Sequence, residues 1–245
     1  MLKGIIMCFS MYTTIPMPYI EWEEKRFPYL IMSLSFVGLV IGLMWFLFTS
    51  FLIKLNIPIT IKSVLICLIP LFLSGFIHID GYMDTCDAIF SRASLEKKYK
   101  ILKDSLVGAF AVIGLLVIAF IYYISIYEIL KNSKNIIPLI FIPIFSRGIT
   151  SLLIIKVSPI SKEGFIATFK KDLTNRHFNI ILLILTLFFI FGCYFNIGKI
   201  ILINIICCIV FGIFCIKDLK GISGDLCGFI ITTSSTTTLL FLAIL

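Results

Sequence analysis

Long apolar stretches separated by short polar segments run along the whole chain, and seven of them approach the length of a membrane-spanning helix. A helix needs about 20 mostly apolar residues to cross the hydrocarbon core of a bilayer. The stretches are rich in Ile, Leu and Phe and lack period-two alternation, which argues against a transmembrane β-barrel. The pattern therefore predicts an all-α fold, a polytopic membrane helix bundle with about seven transmembrane helices. The predicted spans are Tyr29–Ile53, Ile61–Ile79, Ser105–Tyr127, Ile136–Lys156, Asn179–Phe195, Lys199–Ile216 and Gly228–Leu245.

The segment before the first predicted span, "MLKGIIMCFSMYTTIPMP", is apolar but lacks the marks of a cleaved signal peptide. It holds a single Lys, has no small-residue cleavage site, and reaches Pro16 and Pro18 where its apolar part ends. We therefore expect a retained short N-terminal segment that is interfacial or re-entrant. Because neither an internal repeat nor a Pro/Gly/Ser-rich linker divides the chain, residues 1–245 are predicted to form a single integral membrane domain.

The composition excludes an ordinary soluble domain. Hydrophobic residues make up 60% of the chain, charged residues only 14%, and the mean hydropathy is +1.12, whereas soluble domains carry about 25% charged residues. The eight cysteines contain no CxxC pair, so we interpret them as small apolar packing residues and expect neither zinc nor disulfides. Those inside predicted spans are Cys67, Cys193, Cys207, Cys208 and Cys215.

The distribution of positive charge predicts how the chain crosses the membrane. If the seven spans alternate, fifteen of the 21 Lys and Arg residues fall on the side that holds the N-terminus and five on the other, while Arg147 lies inside a span. The positive-inside rule then places the N-terminus and the long loops in the cytoplasm. The net charge of +8 reflects this topology, so we expect the lipid bilayer but no nucleic acid as a partner, and the oligomeric state stays open.

The stretch "HIDGYMDTCD" places three carboxylates on the predicted cytoplasmic side of the second span. Asp80, Asp84 and Asp87 stand at i, i+4 and i+7, so a helix would carry all three on one face within about 60°. Like charges this close need protonation, basic partners or a bound cation. Carboxylate oxygens suit Mg²⁺ or Mn²⁺, which predicts a metal-assisted reaction on a phosphate or diphosphate, and Gly81 would permit close approach of a ligand. The structural alternative is a solvated helix end whose acids pair with bases such as Arg92.

Other polar groups on the same side are candidates for this site. Lys103 and Asp104 lie at the start of the third span, and "GISGDLCG" before the last span supplies Asp225 and glycines that would let a phosphate approach the backbone. Arg147 is the one strong base inside a span, where a charge is costly unless it faces the bundle interior and is paired. We predict that it faces a polar cavity and contacts the carboxylates or a phosphate. His78, next to the acids, is a candidate for assisting proton transfer.

Together these motifs resemble the cobalamin synthase family, also called adenosylcobinamide-GDP ribazoletransferase. The run Asp80-Gly-x-x-Asp84-Thr-x-Asp87-Ala looks like the family's signature. In the same order as in the family, "TTIPMP" is similar to its Thr-x-Ile-Pro-x-Pro stretch, "LKDSLVGAF" to its Lys-Asp-Ser-x-x-Gly segment, and "GISGDLCG" to its late Gly-Asp-x-x-Gly segment. Thr14 stands where many members carry Arg. The resemblance covers nearly the whole chain.

The resemblance implies an enzyme, a transferase that joins adenosylcobinamide-GDP to α-ribazole or its 5′-phosphate and releases GMP. The implied product is adenosylcobalamin or its 5′-phosphate, formed in a late step of vitamin B12 biosynthesis, and the implied location is the cytoplasmic (inner) membrane. Mg²⁺ is the implied cofactor, and Asp80, Asp84 and Asp87 are its expected ligands. Arg147 and Lys103 would offset charge on phosphate oxygens, and a carboxylate would take the proton of the ribazole hydroxyl. The expected catalytic residues are Asp84, Asp87, Lys103, Asp104, Arg147 and Asp225.

Other membrane proteins with clustered acids are alternatives. CDP-alcohol phosphatidyltransferases carry an Ala-Arg pair shortly after their Asp-Gly, which this chain lacks after Gly81. Polyprenyl transferases usually show two similar Asp-rich motifs, and here the second region holds only Asp225. A transporter would place its acids near the membrane midplane, and a purely structural subunit would not explain three aspartates on one face.

Overall fold

The computed structural model of the chain describes residues 1–162 and 164–245, and most of these residues are helical. This confirms the all-α prediction, since within the described ranges an isolated bridge between Pro159 and Ile222 is the sole β-type pairing. A short 3-10 helix, Glu24–Arg26, precedes α2. The α-helices are α1 Leu2–Tyr12, α2 Phe27–Lys54, α3 Ile59–Leu73, α4 Ile77–Phe90, α5 Leu95–Ile101, α6 Ala109–Lys131, α7 Pro138–Lys156, α8 Phe165–Lys170, α9 Asn175–Tyr194, α10 Gly198–Leu219 and α11 Gly224–Ile244.

Among the described residues, six helices are long and apolar enough to cross a membrane, and α3 with α4 makes a seventh crossing if the two count as one bent span. This count agrees with the prediction from the sequence. The third span begins later than predicted, at Ala109, and the last begins earlier, at Gly224. Extended backbone at Gly108 and Ser223 sets both starts, because an N-cap residue lies outside the helical region.

The predicted span Ile61–Ile79 is not one continuous helix. Helix α3 ends at Leu73, α4 begins at Ile77, and the two helices are bent by 92°. Gly75 and Phe76 between them adopt left-handed backbone, with φ of 59° and 62°, which terminates α3. The apolar run of the sequence concealed this break, because Phe76 and Ile77 continue the hydrophobic pattern.

Pro70 weakens α3 one turn before the break. Because proline has no N–H, the carbonyl of Ile66 lacks its usual helical donor. The indole Nε1 of the buried Trp45 donates to this carbonyl at 3.0 Å. The bond joins α2 to α3 and satisfies a carbonyl that would otherwise be costly to bury.

Helix α1 packs into the bundle. Met7 and Cys8 are fully buried in the main hydrophobic core. The loop after α1 reaches the break between α3 and α4, where the N–H of Thr14 donates to the Leu73 carbonyl at 2.9 Å. Helix α1 is therefore part of the helical bundle, and the choice between an interfacial and a re-entrant segment stays a prediction.

The bundle is tightest between α2 and α7 and apolar on its outside. Gly38 of α2 lies directly against the backbone of Pro143 in α7. Large apolar side chains such as Phe120 and Phe191 project outward from α6 and α9, as expected for surfaces in contact with lipid. All eight cysteines are free and seven are buried, in keeping with a packing role.

Candidate active site

Helix α4 carries the three predicted carboxylates on one face, which confirms the helical spacing expected from the sequence. Their surroundings differ along the helix. Asp80 is exposed, Asp84 is half-buried, and Asp87 is buried with 8% exposure. One face of α4 thus runs from an open end into the protein interior.

A cavity of about 850 Å³ lies beside the exposed end of α4. Asp80, Lys103 and Asp225 line it together, although they are far apart in the sequence. Among the described residues, Asp84 and Asp87 are outside its wall. Much of the remaining wall is apolar, so the cavity combines charged groups with a surface suited to a large, partly apolar substrate. Aromatic surface comes from Tyr12, Tyr99, Phe165 and Phe169.

A close crossing of α4 and α11 places Asp225 beside the acids of α4. A side-chain carbon at Gly81 would lie 2.7 Å from the Asp225 Cα, and one at Gly228 would lie 2.7 Å from the His78 carbonyl oxygen. Only glycine fits at these two positions. Both were expected to admit a ligand, and the structure shows that they admit a neighbouring helix. Gly224, in contrast, would have no atom within 4 Å of such a carbon, and it lines the cavity.

The acids at this crossing have no basic partner within residues 1–162 and 164–245. None of the ion pairs there includes Asp80, Asp84 or Asp225. Three other carboxylates, Asp225 foremost, add their negative charge at Asp84. The Ser223 hydroxyl donates to Asp225 at 3.3 Å, but this neutral donor leaves the charge uncompensated. A solvated helix end neutralised by nearby bases is therefore not formed, and the cluster calls for protons or a cation.

Asp87 differs from the other acids because backbone amides satisfy its carboxylate. Oδ2 accepts the Gly108 N–H at 2.6 Å, and Oδ1 accepts the Ala111 N–H at 3.0 Å. Both amides belong to the start of α6, where a negative group is also favoured by the helix dipole. The cation-binding and catalytic roles of Asp87 stay predictions, while the contacts that it makes hold two helices together.

Lys103 and Asp104 lie in the loop between α5 and α6, several residues before α6 begins at Ala109. Lys103 is exposed and lines the cavity. The Asp104 carboxylate accepts the Leu106 N–H at 3.1 Å within the loop and is not part of the cavity wall. Of this pair, the structure brings only Lys103 to the site.

Arg147 is buried near the middle of α7, with 4% exposure. Its Nη1 donates to the Pro143 carbonyl over a long 3.5 Å, and its Nε has no partner among the described residues. The predicted contact with the carboxylates is not formed, and Arg147 is not among the cavity-lining residues. His78 lies within the electrostatic reach of Arg147, lines the cavity and stacks on the Tyr12 ring at 5.9 Å between centroids.

A family model for cobalamin-5-phosphate synthase matches residues 4–243. The chain belongs to the cobalamin-5-phosphate synthase family. An adenosylcobinamide-GDP ribazoletransferase of Clostridium botulinum (strain Alaska E43 / Type E3) is 40% identical over 93% of this chain and 91% of its own length. A protein of the same name from Clostridium perfringens (strain SM101 / Type A) is 36% identical over 99% and 98%, and one from Listeria monocytogenes (serovar 1/2a) is 30% identical over 93% and 92%. No solved structure matches the chain.

The donor set of this cobalamin-5-phosphate synthase family member suits a hard divalent cation such as Mg²⁺, because carboxylate oxygens without basic partners are what Mg²⁺ prefers. Within the described residues, no three His, Cys, Asp or Glu side chains form a group that could hold a metal by themselves. Mg²⁺ commonly binds one or two carboxylates and completes its shell with water and substrate phosphate oxygens. The residues therefore fit a cation that is shared with a phosphate-bearing substrate.

Several residues of the cavity wall were missed by sequence reasoning. Tyr12, Tyr99 and Lys162 come from α1, α5 and the loop after α7, and no short motif connects them. The sequence did carry a signal for α5, "LEKKYKI". Leu95, Tyr99 and Leu102, the last just after the helix, recur at helical spacing, and charged residues occupy most positions between them. Only the fold shows that these elements meet beside Asp80.

Proposed function

We propose that this chain joins adenosylcobinamide-GDP to α-ribazole, or to its 5′-phosphate, and releases GMP. The relatives named for this reaction align over more than nine tenths of both chains. The observation that carries the proposal is the arrangement of Asp80 and Asp225, which reach one cavity from two different helices together with Lys103. That arrangement suits a substrate with a diphosphate and a large apolar body.

In the proposed reaction the 5′-hydroxyl of the ribazole attacks the phosphorus attached to cobinamide. A new oxygen–phosphorus bond forms, the bond to the bridging diphosphate oxygen breaks, and GMP leaves. Mg²⁺ would be held by Asp80 and Asp84, the aspartates of α4 that accept no backbone amide from α6, together with substrate oxygens, and would supply neutralisation of the developing negative charge. Lys103, at the cavity wall, would bind a non-bridging phosphate oxygen and orient the diphosphate.

The proton of the attacking hydroxyl needs an acceptor in the cavity. Asp225 is placed for this role because it lines the cavity and its carboxylate accepts a hydrogen bond from the neutral Ser223 hydroxyl, while no ion pair among the described residues includes it. Asp87 is less suited, because both of its oxygens accept backbone amides. Arg147 would act from behind the cavity wall through its charge and not through contact with the substrate.

The proposed orientation places the cavity on the cytoplasmic side of the inner membrane. The loops around the cavity, those after α4, α7 and α10, belong to the Lys- and Arg-rich side of the chain. The positive-inside rule supports this orientation, and it would give soluble nucleotide-bearing substrates direct access to the site.

The test uses membranes from cells that express the full chain. Adenosylcobinamide-GDP, α-ribazole and Mg²⁺ are supplied, and GMP and cobalamin are followed by chromatography. We expect both products in equal amounts, loss of both on addition of EDTA, and recovery with excess Mg²⁺. Glu96→Gln serves as a control variant that should form both products as wild type does, because Glu96 is an exposed acid of α5 outside the cavity wall. Correctly inserted protein that yields neither product would reject the proposed reaction.

A further inference from the structure

Asp87 of α4 caps the N-terminus of a different helix, α6. Helix α6 begins at Ala109, and its N-cap residue, Gly108, makes no side-chain capping bond. In a capping box one side chain accepts the N–H of the third helical residue and another accepts the N–H of the N-cap. Asp87 performs both functions, because its oxygens accept the amides of Ala111 and Gly108.

This contact leaves no room for a side chain at Gly108. A side-chain carbon at Gly108 would lie 2.5 Å from Oδ1 of Asp87. Only glycine at this N-cap therefore allows the carboxylate of α4 to reach the amides of α6. The two residues form one joint, to which Gly108 contributes room and Asp87 contributes both acceptors.

The same joint fixes one end of the loop that carries Lys103. At the other end of that loop, Tyr99 donates its hydroxyl to the Leu219 carbonyl at 2.7 Å, and the buried Lys98 pairs with Asp218 at 2.6 Å. The residues between, 102–108, are held at both ends to α10 and α4. Lys103 lines the cavity from within this short segment.

We infer that Asp87 is a positioning residue, which anchors α6 and the Lys103 loop to α4, and that it is not a ligand of the catalytic cation. The inference rests on the proposed function for the role of Lys103 toward the diphosphate. The inference gives Asp87 a different role from Asp80 and Asp84, although the three share one helical face.

The first test measures metal binding apart from turnover. Mn²⁺ is titrated into the purified full chain in detergent and followed by electron paramagnetic resonance, with Tm measured on the same samples. For Asp87→Asn we expect Mn²⁺ affinity within about 3-fold of wild type and a Tm lower by about 5 °C, the loss expected for a helix cap. For Asp80→Asn we expect affinity lower by about 10-fold or more at unchanged Tm. A folded Asp87→Asn protein that loses Mn²⁺ as Asp80→Asn does would overturn the inference.

The second test asks whether Asp87 acts through Lys103. We expect Lys103→Ala and Asp87→Asn each to raise the KM for adenosylcobinamide-GDP by about 10-fold with a smaller change in kcat. If both act through one loop, the double variant stays near 10-fold and does not reach the product of about 100-fold. Lys100→Ala, an exposed α5 lysine outside the cavity wall, should leave KM unchanged. KM effects that multiply would overturn the inference, because a general loss of folding predicts independent effects.

Gly108→Ala provides a second route if Asp87→Asn is not recovered from membranes. Its added methyl group displaces the carboxylate while leaving the charge in place, so it should lower Tm and raise KM as Asp87→Asn does. An unchanged Tm and KM in Gly108→Ala would count against the anchor. Absent turnover in wild type rejects the proposed reaction alone, since the Mn²⁺ and Tm measurements still decide between ligand and anchor.

Discussion

Helix α4 has two junctions with its neighbours, and they are built on opposite principles. At the junction with α11, the glycines Gly81 and Gly228 bring backbones together, and the acids beside them have no basic partner among the described residues. At the junction with α6, the carboxylate of Asp87 is fully engaged by amides, and the Tyr82 hydroxyl donates to the Gly114 carbonyl at 2.9 Å. The carboxylates at the α11 junction are therefore free to bind a cation, whereas the carboxylate at the α6 junction is already hydrogen-bonded.

The difference teaches how one helical face can serve both chemistry and folding. Uncompensated like charges destabilise a protein until a ligand neutralises them, so the α11 junction is suited to binding a cation and a phosphate. A satisfied buried carboxylate stabilises a protein and offers little to a ligand. Removing a carboxylate at the α11 junction should therefore lower turnover without lowering Tm, whereas removing the carboxylate at the α6 junction should lower Tm.

The largest expected effect comes from Asp84→Asn at the open junction. Loss of one carboxylate from the cation site should remove about 4 kcal/mol of transition-state stabilisation, which is about 10³-fold in turnover. Because Asp84 lies in the field of three other acids, removing its charge should leave Tm unchanged or raise it. Product formation in membranes and thermal unfolding of the purified protein measure the two quantities.

A control variant, Asp172→Asn, is compared with Asp84→Asn. Asp172→Asn removes an exposed acid in the loop before α9 and should change neither quantity. Turnover of Asp84→Asn close to that of Asp172→Asn would mean that the open junction is not a cation site. A fall in Tm comparable to that of Asp87→Asn would erase the contrast between the two junctions.

The next effect in size comes from Gly81→Ala, which forces α4 and α11 apart. The added carbon would meet the Asp225 backbone, and overpacking of this kind costs about 1–3 kcal/mol, which corresponds to a Tm lower by about 2–12 °C. Turnover should fall as well, because Asp225 moves relative to Asp80. Gly224→Ala is the control for Tm, since a carbon there meets nothing within 4 Å. Equal Tm values for the two variants would show that the crossing is not tight.

The sequence predicted the shared face of the acids but not what each acid touches. Helical periodicity depends on neighbours along the chain, so Asp80, Asp84 and Asp87 could be placed on one face without a structure. The two amides that Asp87 binds lie 21 and 24 residues further along the chain, and only tertiary packing brings them close. The break after Leu73 was missed for a different reason, since the hydrophobic pattern continues through it and Gly75 alone marked a turn.

A smaller overall effect is expected from Trp45→Phe, because Trp45 joins α2 to α3 and is outside the cavity wall, so its loss should affect stability alone. The Ile66 carbonyl would lose the donor that compensates for Pro70, and an unsatisfied buried carbonyl costs about 1–3 kcal/mol. The Tm should fall by about 2–12 °C, while the KM and kcat of the transferase reaction stay as in wild type. A selective loss of turnover would mean that the bend between α3 and α4 communicates with the site.

The smallest effect is expected from Tyr82→Phe, which removes one hydrogen bond from the α6 junction. The Gly114 carbonyl stays inside α6, and the ring of residue 82 keeps its stacking on Phe229, at 5.3 Å between centroids and 11° between planes. The loss should be about 1 kcal/mol, a Tm lower by about 2–4 °C, with Mn²⁺ affinity and turnover unchanged. Tyr19→Phe, at a side chain that is 91% exposed, gives the baseline for removing a tyrosine hydroxyl. A loss of turnover in Tyr82→Phe without a matching fall in Tm would mean that the α6 junction takes part in the chemistry. The distinction between a catalytic α11 junction and a structural α6 junction would then fail.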